Sequence, residues 1–216
     1  MAIIGVFDSG IGGLSVAKAI EQALPDDTVV WRSDHKHIPY GDKLPQEVLG
    51  FVMPIFEDMI AEGCDVIVAA CNTVTTTLIG ELRACFPDTP LIGIEPMVKP
   101  AALHTKNGVI AVCATPATLA SKRYAWLKET YAQGVTVLEP DCSQWAYMIE
   151  HNRVNEQQLQ RQIDDLCNKR ADVIVLGCTH YHWIEEVIQK LAKKRAVVIQ
   201  PEQPVIKRLL FVLGRS

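Results

Sequence analysis

The stretch Asp65-Val-Ile-Val-Ala-Ala-Cys71-Asn-Thr73 reappears later in the chain as Asp172-Val-Ile-Val-Leu-Gly-Cys178-Thr-His180. The two segments are identical at five of nine positions, and their cysteines align at a displacement of 107 residues. Each begins with a β-branched run that lacks polar alternation, which is typical of a strand buried on both faces of a parallel sheet. The repeat therefore predicts two parallel sheets built on the same plan.

A second pair of segments supports this duplication. Ile4-Gly-Val-Phe-Asp-Ser9 matches Ile110-Ala-Val-Cys-Ala-Thr115 more weakly, at a displacement of 106 residues. Chance matches between unrelated strands are the alternative, but two independent segments agree on nearly the same displacement. We therefore interpret the chain as two similar lobes.

Short β-branched runs alternate with longer amphipathic stretches throughout the chain, which is the pattern of α/β proteins. The predicted strands lie near 2–7, 28–32, 65–70, 91–94, 108–113, 135–138, 172–177 and 196–199. The predicted helices lie near 12–24, 46–62, 75–85, 117–131, 155–168, 183–193 and 204–213. Each lobe should be a parallel sheet covered by helices, with an active site in the cleft between the lobes.

The boundary between the lobes is expected in Glu95-Pro-Met-Val-Lys-Pro100, because this segment carries two prolines and a new strand pattern begins at Gly108. Residues 200–216 have no counterpart within the second repeat and are expected to cross back onto the first lobe. The predicted lobes are therefore 1–96 plus 200–216, and 97–199.

The composition is that of a folded globular protein, with 49% hydrophobic and 21% charged residues among 216. A formal net charge of -4 predicts no general attraction to nucleic acid or to an anionic membrane. The apolar start, Met1–Phe7, is followed by Asp8 and has no lysine before Lys18, which fits neither a signal peptide nor a membrane span. We expect a cytoplasmic protein.

Seven cysteines without a C-x-x-C pair argue against a disulfide framework or a zinc ribbon. Cys71 and Cys178 differ from the rest because each falls at the carboxyl end of a predicted strand and precedes a predicted helix. Ligands of parallel sheets bind at such strand ends, and backbone N–H groups at a helix start favour a thiolate. Two thiols on opposite sides of one carbon can remove a proton from one face and deliver a proton to the other. The alternative is a pair of inert core thiols.

Two side chains near these cysteines differ between the copies. Asp8 ends the first strand and could orient or deprotonate Cys71, although it could also cap the helix that starts near Gly12. His180 follows Cys178 by two residues and can act as the base that activates it, although a lone histidine is more often a surface or core residue. A metal at this site would need two further ligands, so none is predicted.

Other polar residues near the strand ends are less specific. The two histidines of His35-Lys-His37 are not predicted to belong to a site, because such histidines are more often surface or core residues. Asp8-Ser-Gly-Ile-Gly-Gly13 matches no nucleotide-binding loop pattern, but its N–H groups could hold a small carboxylate. Short side chains able to bind the carboxylate and ammonium of an amino acid, or to serve as turn and cap residues, are Ser9, Asn72, Thr73, Thr115 and Thr179.

Four motifs together resemble those of the glutamate racemases, within the aspartate/glutamate racemase family. They are Gly5-Val-Phe-Asp-Ser-Gly-Ile-Gly-Gly-Leu14, Pro39-Tyr-Gly41, Ala70-Cys-Asn-Thr73 and Leu176-Gly-Cys-Thr-His-Tyr181. They occur in the family's order across nearly the whole chain. The resemblance implies two α/β lobes, no cofactor, and interconversion of L- and D-glutamate. The D-enantiomer would be destined for bacterial peptidoglycan, and hence for cell wall biogenesis and cell shape.

The resemblance also implies roles for individual residues. Cys71 would act on the D-enantiomer with Asp8 as its helper, and Cys178 on the L-enantiomer with His180 and Glu150. Glu150, in Tyr147-Met-Ile-Glu150, matches over a short segment and could instead be a solvated helix residue. A histidine after Cys-Thr favours glutamate over aspartate. The implied substrate-binding residues are Ser9, Tyr40, Gly41, Asn72, Thr73, Thr115 and Thr179, and no metal ligand is implied.

Three features depart from the family pattern. Val74 and Thr75 stand where Ala or Ser is usual, His182 replaces a common proline, and Gln200-Pro-Glu-Gln203 replaces an Asp-Ser-Gly-like segment. Two alternatives therefore stay open: a weak or inactive member that acts as a binding or regulatory protein, and a racemase for aspartate or another small acid. The expected partner is a small amino-acid substrate, without nucleic acid or membrane, and a homodimer is one open option.

Overall fold

Residues 1–215 are described by a computed structural model, and Ser216, the last residue of the predicted first lobe, lies outside the described residues. The strands are β1 (Ile3–Asp8), β2 (Thr28–Ser33), β3 (Val66–Ala69), β4 (Leu91–Gly93), β5 (Val109–Ala114), β6 (Thr136–Leu138), β7 (Val173–Gly177) and β8 (Val197–Ile199). The part of the chain so described forms two four-stranded sheets, ordered β2-β1-β3-β4 and β6-β5-β7-β8. All pairings are parallel. The second order repeats the first strand for strand, so the predicted fold of two similar α/β lobes is confirmed.

Ten α-helices connect these strands within residues 1–215. They are α1 (Leu14–Ala23), α2 (Pro45–Ala61), α3 (Asn72–Cys85), α4 (Val98–His104), α5 (Pro116–Ala120), α6 (Lys122–Tyr131), α7 (Trp145–Glu150), α8 (Glu156–Asn168), α9 (Glu185–Ala192) and α10 (Glu202–Val212). Short 3-10 helices cover Ile11–Gly13, His35–His37, Tyr40–Asp42 and Thr179–Ile184. None of the helices in this part of the chain is long and apolar enough to cross a membrane.

The central strands β3 and β7 are buried at every residue, because helices cover both faces of each sheet. Each sheet accordingly has an apolar core on either side. The helices bury one stripe each, as α8 does with Leu159, Ile163 and Leu166. Two-sided burial explains why the β3 and β7 segments lack polar alternation.

Two helix predictions are wrong in detail, and two short helices were missed. The single helix expected over 117–131 is two helices, because Ser121 adopts an extended backbone (ψ 145°) and its hydroxyl caps α6 by accepting the Tyr124 N–H. The helix expected over 183–193 begins at Glu185 and follows a 3-10 helix. The short helices α4 and α7 were not predicted, and α4 accommodates Pro100 in its first turn, where an N–H is not needed.

The packing supports the predicted division into lobes, which remains a prediction. Val98 and Ala101 of α4 pack into the core on one face of the second sheet. Val205, Ile206 and Leu209 of α10 pack into a core of the first sheet instead. The chain therefore returns to the first lobe after β8.

Removing the side chain of Leu209 should destabilise the first lobe. Leu209 is fully buried, so we expect Leu209→Ala to lower the free energy of unfolding by about 2–5 kcal/mol, as measured by urea denaturation. The matched control is Leu103→Ala on α4, which is 78% exposed and should cost less than about 0.5 kcal/mol. In Leu209→Ala, amide hydrogen exchange should become faster in β1 more than in β5. The reverse order would contradict the assignment of α10 to the first lobe.

Candidate active site

The carboxyl ends of both sheets border one cavity of about 450 Å³ between the lobes. All but one of the sequence-predicted site residues line it, the exception being Asp8. The first lobe contributes Ser9, Tyr40, Gly41, Cys71, Asn72 and Thr73, and the second contributes Thr115, Glu150, Cys178, Thr179 and His180. The two repeated cysteines thus share one cavity, each at the end of a central strand.

Cys71 lies directly after β3 and directly before α3, and its Sγ donates to Ser9 Oγ at 3.6 Å. Burial, and after it the negative charge of Asp8, raise the pKa of the Cys71 thiol to about 12. Hydrogen bonds with the Val74 N–H and with Ser9 lower it, but by less. The N–H groups at the start of α3 thus favour a thiolate as expected, but desolvation outweighs them.

Cys178 has a different neighbour, since His180 Nδ1 lies 3.9 Å from its Sγ. The other ring nitrogen of His180, Nε2, lies 2.6 Å from Glu150 Oε2. Burial lowers the pKa of His180, but hydrogen bonds to Cys178 and Glu150 outweigh this effect and raise it to about 10. For Glu150, burial raises the pKa, and hydrogen bonds from His180 and His35 outweigh it, leaving a value of about 2. His180 and Glu150 are therefore an imidazolium and a carboxylate at neutral pH.

Asp8 is fully buried beneath the cavity rather than in its lining. Its carboxylate accepts hydrogen bonds from Ser9 Oγ at 3.1 Å, the Gly10 N–H at 3.3 Å and Thr179 Oγ1 at 2.5 Å. Its link to Cys71 therefore passes through Ser9, and its bond to Thr179 joins the two lobes. The 3-10 helix that starts at Ile11 has no side-chain cap, so the alternative role of Asp8 as a helix cap is not observed.

Asn72 is the first residue of α3 and is 2% exposed. Neither Nδ2 nor Oδ1 of its side chain has a hydrogen-bond partner among residues 1–215. A buried polar group without a partner costs about 1–3 kcal/mol, so this amide is suited to bind a polar ligand in the cavity. Nearby, the Thr73 and Thr115 hydroxyls lie 3.0 Å apart across the cleft. Thr115 also accepts the Thr118 N–H, which confirms its alternative role as the cap of α5, whereas its role in binding an amino acid stays a prediction.

The segment Pro39–Gly41 reaches the cavity from the first lobe. The Tyr40 hydroxyl donates to Asp34 Oδ2 at 2.7 Å, and burial together with this bond raises the Tyr40 pKa well above its usual value. A Cβ on Gly41 would come within 3.0 Å of the Thr115 Cβ, so this position fits a glycine. Tyr40 therefore holds the loop in place, and its hydroxyl is already bonded within the protein.

Sequence reasoning missed two polar side chains of this site, Tyr147 and His151, and discounted a third. His151 lines the cavity but bonds to the Tyr147 carbonyl of its own helix at 2.9 Å. His35, which was discounted, also lines the cavity and bonds to Glu150 at 2.9 Å. Its partner lies 115 residues away, so no local pattern could have shown the contact.

No lysine or arginine of the described chain lines the cavity. A bound carboxylate would therefore depend on amide, hydroxyl and backbone N–H donors. Residues 1–215 also contain no group of three or more His, Cys, Asp or Glu side chains placed to hold a metal ion.

The positions that depart from the family pattern lie outside the cavity lining. Val74 packs in a core of the first sheet, and Thr75 Oγ1 donates to the Ala69 carbonyl at 3.2 Å. His182 is buried, with Nδ1 3.2 Å from Ser15 Oγ. None of these three side chains lines the cavity.

The model of the Asp/Glu/Hydantoin racemase family matches residues 4–207 of the chain. The chain belongs to this family. The glutamate racemase of Pseudomonas syringae pv. tomato is 37% identical over 219 residues, which cover 100% of this chain and 80% of that protein. The matching family model and the names of the relatives show that this chain is an amino-acid racemase, which is a kind of isomerase.

Solved structures of other racemases show the same fold. The Escherichia coli glutamate racemase, in complex with L-glutamate and activator UDP-MurNAc-ala, superposes with a TM-score of 0.92 at 27% identity. That match covers 100% of this chain and 83% of the other. The Francisella tularensis glutamate racemase, in complex with D-glutamate, gives 0.82 at 29% identity and covers 99% of this chain and 81% of that one.

The racemase should not tolerate a side chain at Gly12, where the lobes are in contact. A Cβ there would lie 2.5 Å from the backbone nitrogen of His180 and 2.7 Å from Thr179 Oγ1. We expect Gly12→Ala to destabilise the protein by about 1–3 kcal/mol through overpacking, as measured by urea denaturation. The control is Gly80→Ala within α3, where a Cβ meets nothing within 4 Å and should stabilise by up to about 1 kcal/mol. Equal effects of the two changes would refute the close contact.

The His180 imidazole should titrate near pH 10 in the folded racemase, against about 6.5 in the unfolded chain. The pKa of His180 is higher in the folded than in the unfolded protein, so its protonation adds to the free energy of unfolding. This contribution is complete below about pH 6.5 and is lost as the pH rises through 10. Glu150→Gln should move the midpoint down towards about 6.5, as followed by NMR of the ring. Glu129→Gln, an exposed change on α6, should leave it in place. An unchanged midpoint in Glu150→Gln would be inconsistent with the pair.

Proposed function

We propose that the chain is a glutamate racemase that uses two thiols and no cofactor, and that its D-glutamate supplies peptidoglycan. The observation that carries the proposal is the placement of Cys71 and Cys178 on one cavity, at equivalent strand ends of two lobes. The names of the relatives and the glutamate ligands of the solved structures support the choice of substrate.

The form that acts on L-glutamate has Cys71 protonated and Cys178 ionised. The raised pKa of Cys71 keeps its proton in place, and the ring of His180 lies 3.9 Å from Cys178 Sγ, where its positive charge can pair with a negative one. In this state the Cys178 thiolate removes the α-proton of L-glutamate, and the Cys71 thiol delivers its proton to the opposite face of the same carbon. The product is D-glutamate, with Cys71 left as thiolate and Cys178 as thiol.

The reverse direction begins from the opposite protonation state. Cys71 must then be ionised, which its buried environment opposes. The α-ammonium of the substrate brings a positive charge into the cavity, and an opposite charge within a few ångströms favours the thiolate. Thus D-glutamate itself helps to ionise the thiol that receives its proton.

Proton transfer alone does not account for a useful rate. A positioned acid or base contributes about 10²–10⁴-fold, and the α-hydrogen of an amino acid is far less acidic than a thiol. Donors at the substrate's carboxylate must stabilise the negative charge that develops there. The unpartnered Asn72 amide, together with Thr73 and Thr115, is suited to this role, and the buried carboxylate of Asp8, acting through Ser9, favours the ammonium.

Replacing either thiol should abolish racemisation while leaving the fold intact. We expect Cys71→Ser and Cys178→Ser each to lower kcat/KM for L-glutamate by at least about 10²-fold, because a serine hydroxyl is a much weaker acid. The assay follows loss of optical rotation and uptake of α-deuterium in D2O. The control is Cys85→Ser, an exposed cysteine at the end of α3, which should match the wild type.

Other outcomes point to the alternatives. Calorimetric binding of glutamate without deuterium uptake would indicate a binding or regulatory protein. Racemisation of aspartate in preference to glutamate would show that aspartate is the substrate, with the two-thiol mechanism retained. A bacterial strain that requires D-glutamate should grow without it when it expresses the wild type, but not when it expresses Cys71→Ser, if the product enters peptidoglycan.

A further inference from the structure

His35 joins the two lobes at the mouth of the cavity. It begins the 3-10 helix His35–His37 of the first lobe, four residues before the Pro39–Gly41 segment. Its Nδ1 lies 2.9 Å from Oε1 of Glu150, which ends α7 in the second lobe. The contact therefore spans the cleft from the same loop that carries part of the cavity lining.

The two oxygens of Glu150 have separate partners. Oε1 bonds to His35, whereas Oε2 lies 2.6 Å from His180 Nε2 and accepts the Ile11 N–H at 3.3 Å. A carboxylate is planar, so fixing one oxygen limits where the other can lie. A continuous hydrogen-bonded path thus leads from His35 through Glu150 and His180 to Cys178.

We propose that His35 is a positioning residue, which holds Oε1 of Glu150 so that Oε2 keeps His180 directed at Cys178. The inference rests on the proposed function. Among residues 1–215 the path from His35 does not extend to Cys71, whose Sγ bonds to Ser9 and through it to Asp8. The effect of His35 is therefore confined to the proton transfer at Cys178.

The contact between His35 and Glu150 is suited to orienting the Glu150 carboxylate rather than to stabilising the fold. The His35 side chain is 51% exposed, and ion pairs with such exposed members contribute about 0–1 kcal/mol. Glu150 is held inside the cleft with its side chain 11% exposed, so a change in its rotamer moves a carboxylate that His180 depends on. Small displacements of groups that contact the reacting atoms have large kinetic effects.

The test compares His35→Ala, which removes the contact, with His35→Asn, whose amide nitrogen can take the place of Nδ1. Lys36→Ala is the control, because Lys36 is exposed on the same turn and does not line the cavity. We expect His35→Ala to lower kcat for glutamate about 10-fold with little change in KM, His35→Asn to restore most of it, and Lys36→Ala to match the wild type.

The deuterium isotope effects locate the affected step. The equilibrium constant is fixed, so kcat/KM must fall equally in both directions and cannot by itself identify a thiol. If the loss of His35 makes Cys178 a weaker base, the proton transfer between Cys178 and the α-carbon of the substrate limits the rate more than before. In His35→Ala the isotope effect on kcat/KM should then rise with L-[2-²H]glutamate and fall with D-[2-²H]glutamate. Equal changes for both enantiomers, or a rise in KM alone, would overturn the proposal.

A second measurement does not require turnover. The NMR titration midpoint of His180 should fall by about one pH unit in His35→Ala and return in His35→Asn, because a released Glu150 no longer faces the ring. An unchanged midpoint in His35→Ala would overturn the inference. A wild type that fails to racemise glutamate would instead refute the proposed function, so the two failures are distinguishable.

Discussion

Burial removes water from both thiols of the cavity, so the charged groups beside each thiol act on it with little screening. Cys71 faces Asp8 through Ser9, and both the desolvation and this negative charge favour the thiol. Cys178 faces His180, which Glu150 holds in the charged form. The fold is nearly symmetric, whereas the electrostatics are not.

The difference arises from the local structure into which the central strand leads in each copy. After Cys71 the chain enters a regular α-helix, α3, whose first residues line the cavity. After Cys178 it forms the 3-10 helix Thr179–Ile184, which brings His180 beside its own cysteine and against the first lobe at Gly12. The same strand thus ends in two different local structures, and only the second supplies a titratable neighbour. The two halves of the site therefore differ in the turn after each thiol rather than in the strand before it.

Most of the fold could be predicted because the strands are short, apolar and repeated. The helices α4 and α7 were missed because neither is long enough to show an amphipathic period, and the break at Ser121 depends on a single capping hydroxyl. Candidate site residues could be named from motifs at the strand ends. Their contacts could not, since Thr179 to Asp8 and His35 to Glu150 join residues far apart in the chain. The raised pKa of Cys71 could not be predicted, because burial is a property of the packed structure.

Two of the departures from the family pattern, His182 and the segment 200–203, meet behind the site. His182 Nδ1 lies 3.7 Å from Glu202 of α10, and Gln200 Nε2 donates to Glu185 at 2.6 Å. This cluster fastens the 3-10 helix that carries His180 to α1 through Ser15 and to the start of α10. None of its members lines the cavity. The chain therefore departs from the family pattern here in the support of the turn that carries His180, and the groups proposed to contact the substrate are those that the family motifs share.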